Sequence, residues 1–214
     1  MQIDHWQYLS CPPSISGLLK SVPEDFIVRE QLGYEPLGEG EHIYLWVQKQ
    51  GLNTAYLAEE IAKFSQLPLR AVSYAGRKDK HALCEQWFGV HKPGKADYDW
   101  NTFNVPGATV LKAVRHNKKL RTGVLKGNQF ELVIRELSSI EGLQERLEAV
   151  KTHGVPNYFG PQRFGDSKYD PRGSNLLLAE KMLNGEEIRN RNKRSMAISA
   201  LRSWLFNEFV SARL

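Results

Sequence analysis

Ala71-Val72-Ser73-Tyr74-Ala75-Gly76-Arg77-Lys78-Asp79-Lys80-His81-Ala82-Leu83-Cys84-Glu85-Gln86-Trp87-Phe88-Gly89-Val90-His91 reads as a short strand, a basic turn and a longer strand. Ala71 to Tyr74 leads directly into the turn, and Ala82 to His91 leaves it. Asp79 therefore sits on a loop tip between two strands, a common place for chemistry. Around it stand Arg77, Lys78 and Lys80, with His81 able to join them. Any of these cations close to Asp79 would favour its ionised form and lower its pKa. An ionised carboxylate is a poor general acid but is suited to nucleophilic attack or to holding positive charge in a transition state. The same cations would attract a polyanion. The competing reading is a solvated basic turn with one compensating acid.

Working outward, Phe26-Ile27-Val28 and Ile43-Tyr44-Leu45-Trp46-Val47 also read as strands. The loop Gly33 to Glu41 between them carries glycines, but its acids would repel phosphate, so it is no phosphate cradle. Asn53 is placed to cap a helix bearing Leu57, Ile61 and Phe64 on one face and ended by Pro68. Further strands are expected around Thr109–Arg115 and Asn128–Arg135. Alternation in the latter puts Asn128, Phe130, Leu132 and Ile134 on one face. Ser138-x-x-Glu141 has the form of a capping box for a helix with the stripe Leu143, Leu147 and Val150. After it comes the aromatic, glycine-rich loop Gly154 to Gly165, whose Arg163 reads as buried. Ser174 is placed to cap the next helix. The last helix, about 195–214, carries Ile198, Leu201, Leu205 and Phe209 on one face and stops without a glycine, a proline or a polar tail. Such an end is expected of a fragment, a processed product or a truncated chain.

The 214 residues are 41% hydrophobic, with five Trp, eight Tyr and nine Phe, enough for a substantial core. Lys and Arg number 29 against 24 acids, a net charge of +5, and their distribution says more than the sum. No acid occurs from Asn101 to Phe130, where Lys112, Arg115, Lys118, Lys119, Arg121 and Lys126 fall with His116. A second run holds Arg189, Arg191, Lys193 and Arg194. Two such runs beside a basic turn favour a phosphate-backbone partner over an ordinary solvated face. Cys11 and Cys84 are far apart, which excludes a disulfide scaffold and a cysteine-rich zinc site. The histidines lack metal-ligand spacing, and no apolar run approaches membrane-spanning length. The expectation is a cytoplasmic protein with no membrane association, no metal and no cofactor.

The segments Gly17-Leu18-Leu19-Lys20, Pro23-Glu24-Asp25-Phe26, Gly38-Glu39-Gly40-Glu41-His42, Gly76 to Ala82, Leu125 to Phe130, Val155 to Gly165 and Arg191 to Ser195, taken in order, resemble the tRNA pseudouridine synthase D family. Its members isomerise the uridine at position 13 of tRNA. The resemblance implies an α+β fold with a mixed, largely antiparallel sheet flanked by helices, an RNA cleft across it, and tRNA as partner. It makes Asp79 the catalytic aspartate, and places Phe26, Asn128 and Phe130 against the target nucleoside. Lys20 and Glu24 match motif positions near the site, while Arg77, Lys78, Lys80 and His81 would hold flanking phosphates. It also implies that residues 1–214 form a single, partial catalytic domain. The family continues beyond the equivalent of Leu214 into an inserted domain, to which the last helix would lead, and then returns to the catalytic domain.

Pseudouridine formation breaks the N1–C1′ bond of uridine and rejoins the ribose to C5, without redox change or hydrolysis. An aspartate can act by attacking C1′ or C6, or by promoting loss of the 2′ proton through a glycal. Each route needs the base out of the stack. Phe26 or Phe130 could supply the stacking surface, and Asn128 an amide that reads a base edge. Read without the family, Phe26 and Phe130 are core residues and Asn128 is a turn residue. The alternative function is a non-catalytic RNA-binding protein, or an inactive fragment of such a synthase. A hydrolase or nuclease is weaker, since those chemistries want several positioned carboxylates and Asp79 has only Glu85 near it in sequence.

Overall fold

The computed structural model describes residues 1–94, 96–165 and 170–214. These form two compact units, Ser16–Ser138 and a second made of Met1–Ile15 with Ser139–Leu214.

The first unit is built on a sheet. Its elements are β1 (Leu18–Leu19), β2 (Phe26–Gln31), β3 (His42–Lys49), α1 (Thr54–Phe64), β4 (Val72–Tyr74), β5 (Leu83–His91), β6 (Ala108–His116), β7 (Gly127–Leu132) and β8 (Ile134–Arg135). Among the described residues, the main sheet runs β6-β3-β5-β2-β7, with β4 also on β5. Every pairing is antiparallel except β2 with β5. The strands opening the sequence argument are thus β4 and β5, and β5 is the hub. One edge of β5 pairs along its length with β3. The other edge is divided, β2 taking Leu83–Glu85 and β4 taking Val72's partner Val90 through Phe88. Between them the Trp87 N–H has no strand to bond, and the Glu30 carboxylate accepts it at 3.4 Å. A buried backbone donor must find a partner, and here a strand acid supplies it.

The apolar face of α1 forms as its periodicity requires: Leu57, Ala58, Ile61 and Ala62 are buried against Ile43, Leu45, Val47, Val72, Phe88 and Val90. Each fully buried Leu, Ile or Phe contributes about 1.5–3 kcal/mol, so this face seats the helix. Asn53 occupies the cap position through its backbone carbonyl, with no side-chain cap bond. The loop before β3 needs its glycine: Gly40 has φ +115°, and a Cβ there would lie 2.4 Å from the His116 carbonyl oxygen.

Two expectations are corrected in this unit. The strand expected over Asn128–Arg135 breaks at Val133, whose N–H bonds the Asp25 carbonyl, and Ile134 crosses to pair β8 with β1. Ser138 caps no helix; its hydroxyl and its N–H both bond the Ser16 backbone, which ties β1 to β8.

The second unit comprises α2 (Leu143–His153), α3 (Pro161–Phe164), α4 (Ser174–Leu183) and α5 (Arg191–Ser211). Phe164, Leu176 and Ala200 centre its core, with Met1, Ile3, Trp6, Phe159 and Trp204 packed around them. Here the polar caps differ from expectation. Gly142 begins α2 in the left-handed region, and α4 begins after Gly173, with Ser174 its first residue. Gly173 is required, because a Cβ would meet the Gly165 carbonyl oxygen at 2.3 Å. The stripes are also corrected. Leu147 and Val150 on α2 are exposed, as are Ile198, Leu205 and Phe209 on α5. α5 instead buries Ala197, Ala200, Ser203 and Asn207, because small residues let α4 approach closely and Asn207 bonds both backbone groups of Phe159. Arg163 is exposed, its guanidinium 5.0 Å from the Phe159 ring, and the buried member of that loop is Phe164.

Candidate active site

The loop Ala75–Ala82 carries Asp79, and its path is set from beneath. Lys78 turns inward and ion-pairs with Glu30, the two side chains being 5% and 0% exposed. The Lys78 N–H donates to the Thr54 hydroxyl at 3.0 Å, which in turn donates to Gln86 at 2.9 Å. The Gln86 amide donates to the Gly76 carbonyl at 3.3 Å. Glu30 on β2, Thr54 at the start of α1 and Gln86 on β5 thus fix the loop from three elements. Burial pushes the Glu30 carboxyl above its ordinary pKa, against the pull of Lys78. A phosphate contact by Lys78 would require breaking this buried pair, so the geometry assigns Lys78 to anchoring the loop.

Asp79 is partly buried, its side chain 15% exposed. Lys20 donates to Oδ2 at 2.7 Å and the His81 N–H to Oδ1 at 2.9 Å. Burial alone would raise the carboxyl's pKa. The Lys20 hydrogen bond, the His81 N–H and the positive charge of Lys20 together outweigh it and hold Asp79 below the usual carboxylate range. The expectation of an ionised Asp79 therefore has its cause, in Lys20 first and His81 second rather than in Arg77, Lys78 or Lys80. The ion pair comes from Lys20, while Arg77, Lys80 and the His81 ring are exposed around the loop.

Lys20 adopts φ +58° and sets its Nζ 4.2 Å from the centroid of the Phe26 ring. That ring stacks on Phe130 with centroids 6.0 Å apart and planes 16° from parallel. Phe130 lies opposite Val28 in the β2–β7 ladder and is 57% exposed. Asn128, opposite Glu30, is exposed on the same face of β7 as Phe130. The structure thus brings Asp79, Lys20, Phe26 and Phe130 together and sets Asn128 one strand rung away. Glu24 stays outside this cluster, exposed on the turn Pro23–Asp25. Its neighbour Asp25 is the buried acid, held by two Arg135 bonds of 2.8 Å.

Chemically, the cluster is a carboxylate kept charged beside an accessible aromatic face and an amide. That combination suits a planar, polar base next to an anionic backbone. The basic run after Asn101 contributes unevenly. Lys112, Lys118, Lys119, Arg121 and Lys126 are exposed, but Arg115 is bound to Asp97 and to the carbonyls of Gly40, Lys92 and Ala96, and His116 is buried. A groove of about 1110 Å³ in the second unit, lined by Trp6, Tyr8, Leu9, Val150 and Tyr158 among others, has no counterpart of the Asp79–Lys20 arrangement among the described residues.

Sequence reasoning passed over Glu30, Lys49, Asp25 with Arg135, and the Thr54–Gln86 link. Glu30 and Gln86 carried a signal, being polar residues in register with the buried Val28 and Phe88 of their strands. Lys49 and Arg135 carried none.

The sequence profile of the family described as tRNA pseudouridine synthase D (TruD) matches residues 2–189. A tRNA pseudouridine synthase D of Pseudoalteromonas atlantica is 72% identical over 214 residues, covering 100% of this chain and 61% of the relative. One from Aeromonas salmonicida is 48% identical over 212 residues, covering 99% of this chain and 59% of the relative. The chain therefore spans about three fifths of the length of the curated relatives it matches. A crystal structure of a tRNA pseudouridine synthase D homologue from Methanosarcina mazei superposes with a TM-score of 0.60 at 25% identity, over 92% of this chain and 47% of the other.

Proposed function

This chain belongs to the tRNA pseudouridine synthase D family, and we propose on that premise that it carries the site that converts a uridine of tRNA, the one at position 13, to pseudouridine. The observation that carries the reading is the charged Asp79, paired with Lys20, whose ammonium lies over the Phe26 ring of the Phe26–Phe130 stack. The target base leaves the helical stack, at a cost of a few kcal/mol, and enters beside Phe130. Stacking on the exposed ring and an edge contact to Asn128 offset that cost. Asp79, already ionised, meets the nucleoside as a nucleophile rather than a proton donor. The N1–C1′ bond breaks, the C1′–C5 bond forms, N1 gains a proton and the C5 proton leaves to solvent, with no net redox change. Arg77, Lys80 and His81, exposed around the loop, hold the flanking phosphates. Residues 1–214 supply a partial catalytic domain, matching about three fifths of the relatives' length.

Tritium release from tRNA carrying tritiated C5 uridine tests this, with tRNA binding measured on the same preparation. The expected result is release by the chain, lost by about a thousandfold or more in Asp79→Asn, with binding changed by less than about twofold. Release that survives Asp79→Asn would remove the aspartate from the chemistry. Salt-dependent binding without release would support the RNA-binding alternative for this length of chain.

A further inference from the structure

Lys49, the last residue of β3, is 1% exposed. None of the ion pairs among the described residues involves it, although an ammonium buried without a carboxylate is unfavourable. Burial lowers its pKa below that of an ordinary lysine. Its Nζ donates two hydrogen bonds, one of 2.9 Å to the Leu52 carbonyl and one of 2.7 Å to the backbone carbonyl of Asp79 itself. The Cys84 thiol lies 3.4 Å from that same Asp79 oxygen. Alongside, the Gly51 N–H donates to the Lys80 carbonyl at 3.0 Å. The turn joining β3 to α1 thus grips the backbone of Asp79 and Lys80 from inside, while Lys20 holds the Asp79 carboxylate from outside.

An apolar side chain of similar length would remove the buried charge but leave the Leu52 and Asp79 carbonyls without their donor, so what this position supplies is a pair of directional bonds. One of the two is to the backbone of Asp79 itself. The geometry points to Lys49 as a positioning residue for Asp79, one that fixes the carboxylate before RNA arrives. It touches no substrate. It acts through the Asp79 main chain, whereas Glu30 anchors the preceding residue through the Lys78 side chain. The inference rests on the reading of Asp79 as the reacting carboxylate.

The test is Lys49→Met, with Lys49→Gln as a second variant that keeps an amide donor and serves if the first fails to fold. Hydrogen exchange at the His81 amide reads the closure of the Asp79 loop, because that N–H is bonded to Oδ1. Tritium release reads the chemistry, and the urea midpoint reads global stability. In folded Lys49→Met, the urea midpoint falls modestly as two carbonyls lose their donor, and His81 exchange rises about tenfold or more beyond what that fall accounts for. Turnover falls about tenfold to a hundredfold with KM within about twofold, as expected when a reacting group drifts by about 1 Å. Unchanged His81 exchange in a folded variant overturns the positioning role, and so does faster exchange with undiminished kcat. Faster exchange in a chain whose parent shows no release leaves the positioning intact and refutes the isomerase reading of this chain instead.

Discussion

Phe130→Ala separates a site role from a core role by the ratio of two losses. The ring is 57% exposed, so less than half of it is withdrawn from water. Full burial of a Phe contributes about 1.5–3 kcal/mol, which scales to about 1 kcal/mol here. Its stack on Phe26, with centroids 6.0 Å apart and one ring largely in solvent, adds about 0.5 kcal/mol. The expected folding cost is about 1.5 kcal/mol. Phe88, 0% exposed in the same sheet, is the control, and Phe88→Ala should cost about 3–5 kcal/mol. If a flipped uracil stacks on Phe130, losing that contact removes about 1–3 kcal/mol of binding shared by the transition state. That corresponds to roughly a 5- to 150-fold fall in kcat/KM for tritium release. Urea denaturation supplies the first number and tritium release the second. The reasoning fails if Phe130→Ala destabilises the fold as much as Phe88→Ala, or if kcat/KM stays within twofold of the parent.

Three further expectations follow from the charges. Lys20→Met removes the hydrogen bond and the cation that hold Asp79 low and leaves the burial that raises it, so the acid limb of the pH–rate profile should move to higher pH; an unmoved limb would detach Lys20 from the carboxylate's ionisation. Asp25 is held low chiefly by its Arg135 bonds, against burial, with the Val22 N–H helping. Its folded pKa being depressed, its contribution to stability is present above the ordinary value of 3.8 and is lost as pH falls through the folded one. Urea midpoints of the parent should therefore fall more steeply below about pH 4 than those of Asp25→Asn, and parallel curves would contradict the assignment. Finally, Lys118→Ala with Lys119→Ala should lessen the slope of log tRNA affinity against log salt by about 1–2, whereas Arg115→Ala, locked among carbonyls, should chiefly lower stability. Equal slopes in all three proteins would exclude the exposed lysines from the footprint.

Local order was legible wherever a residue's own neighbours decide it. The strands flanking Asp79, the apolar face of α1 and the placement of Asp79 on a loop follow from alternation, helical spacing and turn residues, because those features are written at short range. The residue types that fit chemistry on a nucleoside, an acid in a basic turn and aromatics beside an Asn, were legible for the same reason. What short range cannot decide is which residues meet. Asp79 is surrounded in sequence by Arg77, Lys78 and Lys80, yet the fold sends Lys78 inward to Glu30 and brings Lys20 to the carboxylate across 59 positions. The stripes on α2 and α5 look like core faces by periodicity, but burial depends on what packs against a helix, and α5 turns its small residues to α4. Lys49 shows the difference most plainly. As a letter at the end of a strand it reads as an ordinary surface lysine, and only closure of the sheet over the Asp79 loop makes it a buried donor to that residue's backbone.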